Sequence, residues 1–113
     1  MKIITETVVL DEVKQMAVNT FGNMVKAVVD IDRGLIALDA ELHSDLEALL
    51  LADGSEQKNL WGINLYPDIE AEGFVEFDSV INMRPSQDNR SRGVENEKVR
   101  KKIIEVVNKR IRR

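Results

Sequence analysis

The sequence predicts an α+β domain: a mostly antiparallel sheet of about five strands with three helices, in the order β-α-β-β-α-β-β-α. Segments with strand character outnumber those with helical spacing, and several neighbouring strand segments are joined by turns suited to hairpins. With 113 residues, 43% of them apolar, the chain matches a single domain, residues 1–113, with an ordinary core. We expect the helices to cover one face of the sheet.

The first third of the chain predicts a strand, a helix and a hairpin. Residues 2–6 form the expected strand, and the helix that follows can end at Gly22, a residue type favoured just after helices. The apolar face of that helix consists of Leu10, Val13, Met16, Ala17 and Phe21. Residues 26–41 then predict a β-hairpin that turns at Arg33 and Gly34.

A two-residue turn fixes the register of this hairpin. Asp30 then lies opposite Ala37, and Val28 lies opposite Asp39, so that one face of the hairpin is entirely apolar. The opposite face collects Lys26, Asp30, Asp32, Asp39 and Glu41. A slip of one residue would bring Asp39 among the apolar side chains, and we therefore expect Asp30 and Asp39 to be diagonal neighbours on the charged face.

The second half of the chain predicts a helix, two strands and a final helix. Leucines at helical spacing between residues 42 and 50 precede Gly54, where the helix is expected to have stopped. Residues 60–66 predict a strand that Pro67 ends, and residues 74–83 alternate well enough for a second strand. Residues 86–94 predict a polar loop, and a helix begins near Glu95. Its apolar stripe is Val99, Ile103, Val106, Val107 and Ile111.

The composition excludes several classes of protein. Cysteine is absent, which excludes disulfides, thiolate zinc sites and cysteine nucleophiles. The first residues lack the apolar run of a signal peptide, and no later segment is long and apolar enough to span a membrane. We therefore expect a cytoplasmic protein without membrane contacts.

Charge is distributed unevenly along the chain. Residues 1–83 contain 5 Lys and Arg against 16 Asp and Glu, whereas residues 84–113 contain 11 against 4. Such asymmetry is typical of a basic arm that binds nucleic acid, but it also fits two halves that neutralise each other within one fold. Both interpretations stay open at this point.

A loop rich in Arg is the first candidate site. Residues 84–93 lead into the last predicted helix, and a helix N-terminus attracts anions through its free N–H groups and its dipole. Arg84, Asn89, Arg90 and Arg92 are the expected anion-binding residues, because guanidinium and amide groups suit phosphate or carboxylate. The alternative is that these arginines pair with the acidic hairpin face and only fix the loop.

An acidic set with the only histidine is the second candidate site. In the expected register, Asp30 and Asp39 are close enough to share a divalent cation, and His43 follows shortly after. Carboxylates with one imidazole suit Mg²⁺ or Mn²⁺ better than structural zinc. The spacing matches no established metalloenzyme motif, and a solvated acidic face is the simpler alternative. No other cofactor is expected.

Several segments together carry a resemblance to a known family. They are residues 28–31, 41–43, 60–67, 77–85 and 89–92, of which Trp-Gly-Ile-Asn at 61–64 and Asn-Arg-Ser-Arg at 89–92 are the most specific. The chain resembles an uncharacterised family of small bacterial and archaeal proteins, a domain of unknown function. The resemblance implies a stand-alone prokaryotic protein and supplies no activity, cofactor or catalytic residue.

Three functions are consistent with the sequence. The first is a binding or regulatory module whose Arg loop contacts nucleic acid or another phosphate-bearing ligand. The second is a phosphodiester hydrolase in which Asp30, Asp39 and His43 hold Mg²⁺ or Mn²⁺ and Arg90 stabilises the transition state. The third is a structural protein that forms a homodimer or homo-oligomer. Whether the protein is an enzyme is not decided by these residues.

Overall fold

The computed structural model, which describes residues 1–113, contains a five-stranded antiparallel sheet and three α-helices. In chain order the elements are β1 (Lys2–Ile4), β2 (Val8–Val9), α1 (Leu10–Asn19), β3 (Val25–Asp30), β4 (Leu35–Leu38), α2 (His43–Ala52), β5 (Leu60–Leu65), β6 (Val75–Glu76), α3 (Glu97–Arg110) and β7 (Ile111–Arg112). The strand order is β1-β4-β3-β5-β6, and β2 pairs separately with β7 in parallel. The predicted α+β class, five-stranded sheet and three helices are confirmed.

The helices cover both faces of the sheet, and the prediction of one covered face is wrong. α1 and α3 pack on the face that carries Val29 and Ile36, in the larger apolar cluster. On the opposite face, Leu46 and Leu50 of α2 pack against Val28, within a second apolar cluster of six buried residues. Because the central strands β3 and β4 are apolar on both faces, each face needs a covering helix.

The β3–β4 hairpin is shifted by two residues from the predicted register. Asp30 lies opposite Leu35 rather than opposite Ala37, so that the connecting loop has four residues, 31–34. The reason is the side chain of Asp30, whose Oδ1 accepts hydrogen bonds at 2.9 Å from the N–H groups of Asp32 and Arg33. A shift of two residues preserves which side chains share a face, so the predicted apolar face is retained.

The predicted strand over residues 74–83 is also wrong beyond its first residues, since β6 ends at Glu76 and a 3₁₀ turn occupies Val80–Asn82. The fully buried side chain of Asn82 forms the hydrogen bonds to β5 that the backbone of a neighbouring strand would otherwise form. Its Oδ1 accepts the Gly62 N–H at 2.8 Å and its Nδ2 donates to the Gly62 carbonyl at 2.9 Å. Gly62 permits this approach, because a Cβ there would lie 2.6 Å from the Cβ of Ser79.

Candidate functional site

Arg84, the first residue of the Arg loop, binds the protein's own backbone. Its Nε donates to the Ile81 carbonyl at 3.0 Å, Nη1 donates to the Gln57 carbonyl at 2.9 Å, and Nη2 donates to the Leu60 carbonyl. The guanidinium also stacks on Trp61, with 4.6 Å between its central carbon and the ring centroid. Burial lowers the pKa of Arg84. The side chain thus connects the loop to β5.

Asn89 is the second residue of the loop that faces inward. The residue is 2% exposed, and its Nδ2 donates to the carbonyls of Asn82 at 2.7 Å and Gly93 at 2.8 Å. Its Oδ1 accepts the Glu95 N–H at 2.9 Å. With every polar atom of the side chain bonded to backbone, Asn89 determines the shape of the loop and leaves no group for a ligand.

Arg90 and Arg92 are the loop arginines that face outward. The Arg90 side chain has no hydrogen-bond partner, while its backbone N–H and that of Ser91 donate to the Glu95 carboxylate and lower the pKa of Glu95. Arg92 donates through Nε to Asp78 Oδ1 at 2.6 Å, and this bond raises the pKa of Arg92. The Nη1 and Nη2 groups of Arg92 have no partner within the protein.

The structure does not bring together Asp30, Asp39 and His43, the three residues of the predicted metal site. Asp30 ends β3, whereas Asp39 follows Leu38, which lies opposite Ala27 at the other end of the same strand. Asp39 therefore lies near the level of Lys26, and four residues along a strand separate this level from Asp30 by about 13 Å. No group of three His, Asp or Glu side chains is placed to hold a metal ion. The shifted hairpin register is the reason that the two carboxylates are apart.

A cavity of about 320 Å³ does bring Arg92 together with residues from other elements. Its polar lining consists of Lys26 of β3, His43 and Ser44 at the start of α2, Ser79, and Arg92. Leu42, Val80 and Ile81 complete the lining, and Leu42 and Val80 are exposed at its rim. Sequence reasoning missed Lys26 and Ser44 as site residues. Their proximity to Arg92 depends on tertiary structure, and no local pattern indicates it.

The N-terminus of α2 contributes backbone donors to this cavity. Leu42 occupies the N-cap position and offers no side-chain acceptor to the first turn. The N–H groups of His43 and Ser44 therefore have no hydrogen-bond partner, while that of Asp45 donates to the Leu42 carbonyl at 3.2 Å. Two cationic side chains, Lys26 and Arg92, lie against this end of the helix, and two carboxylates, Asp78 and Asp45 of the first turn, offset part of their charge. The helix dipole and the free donors both favour an anion.

His43 is almost entirely buried at the bottom of this arrangement, with 9% of its surface exposed. Its Nε2 lies 2.8 Å from the backbone carbonyl of Ile63 on β5. Burial is the largest cause that lowers the pKa of His43, with a smaller opposing contribution from the bond to Ile63. The imidazole is therefore neutral at neutral pH.

Two other cavities are less suited to an anion. One of about 340 Å³ beside Trp61 is lined by Lys58 but also by Asp88 and Glu95, so that carboxylates outnumber cations. The other, of about 760 Å³, lies between residues 70–75 and the end of α3 and contains two glutamates against one arginine. By charge, the cavity at α2 is the best candidate of the three.

Three of the eleven basic residues from Arg84 onward bind backbone carbonyls through their side chains. Arg110 donates to the carbonyls of Gly34 and Thr5, and Arg100 donates to that of Val94. Arg92 is the one basic residue from 84 onward that forms an ion pair, and its partner is Asp78 rather than an acid of the β3–β4 hairpin. The expected pairing of the arginines with the acidic hairpin face is therefore wrong.

Comparison with known proteins gives a family and no function. Residues 2–110 match the sequence profile of the family described as protein of unknown function, DUF5674. No curated protein and no solved structure matches the chain. No α-helix combines the length and the apolar character needed to cross a bilayer. Since the match extends over nearly all of its residues, the chain belongs to the DUF5674 family, a domain of unknown function.

Proposed function

We propose that this protein is a binding module for a small phosphate-bearing anion, and that the ligand occupies the cavity at the N-terminus of α2. The observation that carries the proposal is the meeting of Lys26, Arg92 and an uncapped helix N-terminus around one cavity of about 320 Å³. Cations, free backbone N–H groups and a helix N-terminus around one cavity form a common anion-binding arrangement.

The Arg loop retains a part in this proposal through Arg92 alone. The side chains of Arg84 and Asn89 already form hydrogen bonds to backbone groups of the protein. The side chain of Arg90 does not line the cavity. Arg92 keeps two free Nη groups, which match the paired oxygens of a phosphate. Lys26 supplies a second positive charge from β3.

A small ligand fits this site better than nucleic acid. The cavity is at the lower end of the volumes that small-molecule sites have in proteins. Nucleic-acid binding needs many free cations along an extended surface. Arg84, Arg100 and Arg110 are bonded to the protein's own carbonyls, but Lys98, Lys101, Lys102 and Lys109 of α3 are exposed and form no such bond. Nucleic acid is therefore an outcome that the experiment has to distinguish.

The remaining functions stay predictions from the sequence. No geometry favours a hydrolase that uses Mg²⁺ or Mn²⁺, because its three proposed ligands lie apart. The prediction of a homodimer has no support beyond exposed apolar side chains such as Phe21 and Leu51. Prokaryotic origin and a cytoplasmic location likewise stay predictions.

Calorimetric titration with inorganic phosphate at low ionic strength tests the proposal, with chloride as the reference anion. We expect Lys26→Gln to weaken phosphate binding by about tenfold, because hydrogen bonds to charged groups contribute about 1.5–3 kcal/mol. Arg92→Gln should weaken it by about fivefold, since Asp78 and solvent already screen this guanidinium. Arg90→Gln removes a charge from the same loop outside the cavity and is the matched control.

The same variants separate the alternatives. If wild-type protein binds no phosphate at low salt, the proposal is wrong. If a short RNA binds instead, and Arg90→Gln weakens it as much as Arg92→Gln does, the protein contacts nucleic acid through general surface charge. Such a complex must weaken steeply as salt is raised.

A further inference from the structure

The hydrogen bond to Ile63 determines which nitrogen of His43 carries the proton. A carbonyl oxygen can only accept, so the contact of 2.8 Å between Nε2 and the Ile63 oxygen requires a proton on Nε2. A neutral imidazole carries one proton, and its Nδ1 is then an acceptor with a free lone pair. Burial keeps the pKa of His43 below its ordinary value and so supports the neutral form.

The second nitrogen of His43 is available to a ligand. His43 lines the cavity, and its Nδ1 forms no hydrogen bond within the protein. This atom is also not one of the fully buried polar atoms that lack a partner, so it keeps some solvent exposure. The side chain is nine-tenths buried, so the imidazole is held in one orientation by its surroundings. An acceptor atom of a fixed side chain therefore meets the cavity.

The other polar groups around this acceptor are mainly donors. Lys26 and Arg92 can only donate, as can the backbone N–H groups at the start of α2, and Ser44 can also donate. Ser79 accepts the Ile81 N–H through its Oγ and retains its hydroxyl proton to donate. A fully ionised oxyanion would satisfy the donors and leave Nδ1 of His43 facing a second acceptor.

We infer that the site recognises a hydrogen phosphate group, an oxyanion that retains one proton and donates it to Nδ1 of His43. The inference rests on the proposed function and narrows its ligand to inorganic phosphate, or to a phosphate monoester in its monoanionic form. A phosphodiester has no such proton, so the backbone of nucleic acid is disfavoured. The charged groups near the imidazole are Lys26, Asp78 and Arg92. Among the residues that line the cavity, His43 is the one obligate acceptor.

Phosphate and sulfate make the sharpest pair of probes. At about pH 8 the dianions HPO₄²⁻ and SO₄²⁻ have equal charge and similar shape, and they differ by the one proton on phosphate. We expect phosphate to bind wild-type protein at least about tenfold more tightly than sulfate, because a bound sulfate would cover the Nδ1 acceptor without offering it a proton, and an acceptor left unpaired in this way is costly. In His43→Gln the amide nitrogen can keep the bond to Ile63 while the Nδ1 acceptor is lost, and the two affinities should become nearly equal.

Nitrogen-15 NMR of the imidazole gives a readout that needs no variant. His43 is the only histidine in the chain, so its two ring nitrogens are assigned without ambiguity. Free protein should show a protonated Nε2 and an unprotonated Nδ1, and phosphate should shift the Nδ1 resonance while sulfate at equal concentration should not. Equal affinities for the two anions, or an Nδ1 signal unmoved by bound phosphate, would overturn the inference and leave a simple anion site. Failure of both anions to bind would instead overturn the proposed function.

Discussion

The side chain of Asn82 connects the segment after β6 to the sheet, and the effect of its removal on stability should be measurable. Asn82 forms three hydrogen bonds to buried backbone: two to Gly62 and one to the Arg92 carbonyl at 3.0 Å. At about 1 kcal/mol for each neutral bond, Asn82→Ala should lower the free energy of unfolding by about 3 kcal/mol. For 113 residues the entropy of unfolding is about 0.24 kcal/mol/K, so the midpoint should fall by about 12 °C.

An isosteric variant provides the control for this prediction. Asn82→Asp keeps the shape of the side chain and one acceptor for the Gly62 N–H, but it replaces the two donated bonds by contacts between oxygen atoms. We expect it to be at least as destabilising as Asn82→Ala, because a buried carboxylate would face two carbonyls. Thermal unfolding by circular dichroism measures both variants. A loss below about 4 °C for both would refute the claim that Asn82 replaces a strand.

Three further predictions follow from the same contacts. Gly62→Ala places a Cβ 2.6 Å from that of Ser79 and should cost about 1–3 kcal/mol in denaturant unfolding; an unchanged midpoint would contradict the close approach. Arg84→Lys loses the planar group that reaches three carbonyls and should cost about 2 kcal/mol, whereas Arg90→Lys, the exposed control, should change stability by less than about 0.5 kcal/mol. For His43 the pKa is lower in the folded state, so the unfolded chain binds more protons and stability should fall as pH drops below about 6.5. His43→Gln should lack this part of the pH dependence, and an unaltered profile would show that the imidazole does not titrate as buried.

Much of the fold was predictable because hydrophobic spacing carries it. The alternation of apolar residues predicted which side chains of β3 and β4 share a face of the sheet. The predicted turn length was wrong, but a shift of two residues does not change these faces. The turn itself depends on hydrogen bonds that backbone N–H groups donate to the side chain of Asp30, and the spacing of apolar residues does not reveal them. Likewise, the alternation over residues 74–83 gave no sign that Asn82 would bond to Gly62 in place of a strand.

The candidate site was less predictable, because its members meet only in the folded chain. Arg84 and Arg92 belong to one loop and have the same chemistry, yet Arg84 faces inward. The cause is tertiary: the Gln57 and Leu60 carbonyls lie where its guanidinium can reach them. His43 was singled out from the sequence for a metal site that the hairpin register does not form.

The most direct test of the account is a two-dimensional ¹H–¹⁵N NMR titration of the wild-type protein with phosphate at low ionic strength. We predict saturable shifts at the backbone amides of Lys26, His43, Ser44 and Arg92, which line the cavity at α2. Amides along the exposed face of α3, at Lys101 and its neighbours, should stay unchanged. Shifts confined to α3 and residues 86–91, or no saturable shifts at all, would contradict the claim that this cavity binds an anion.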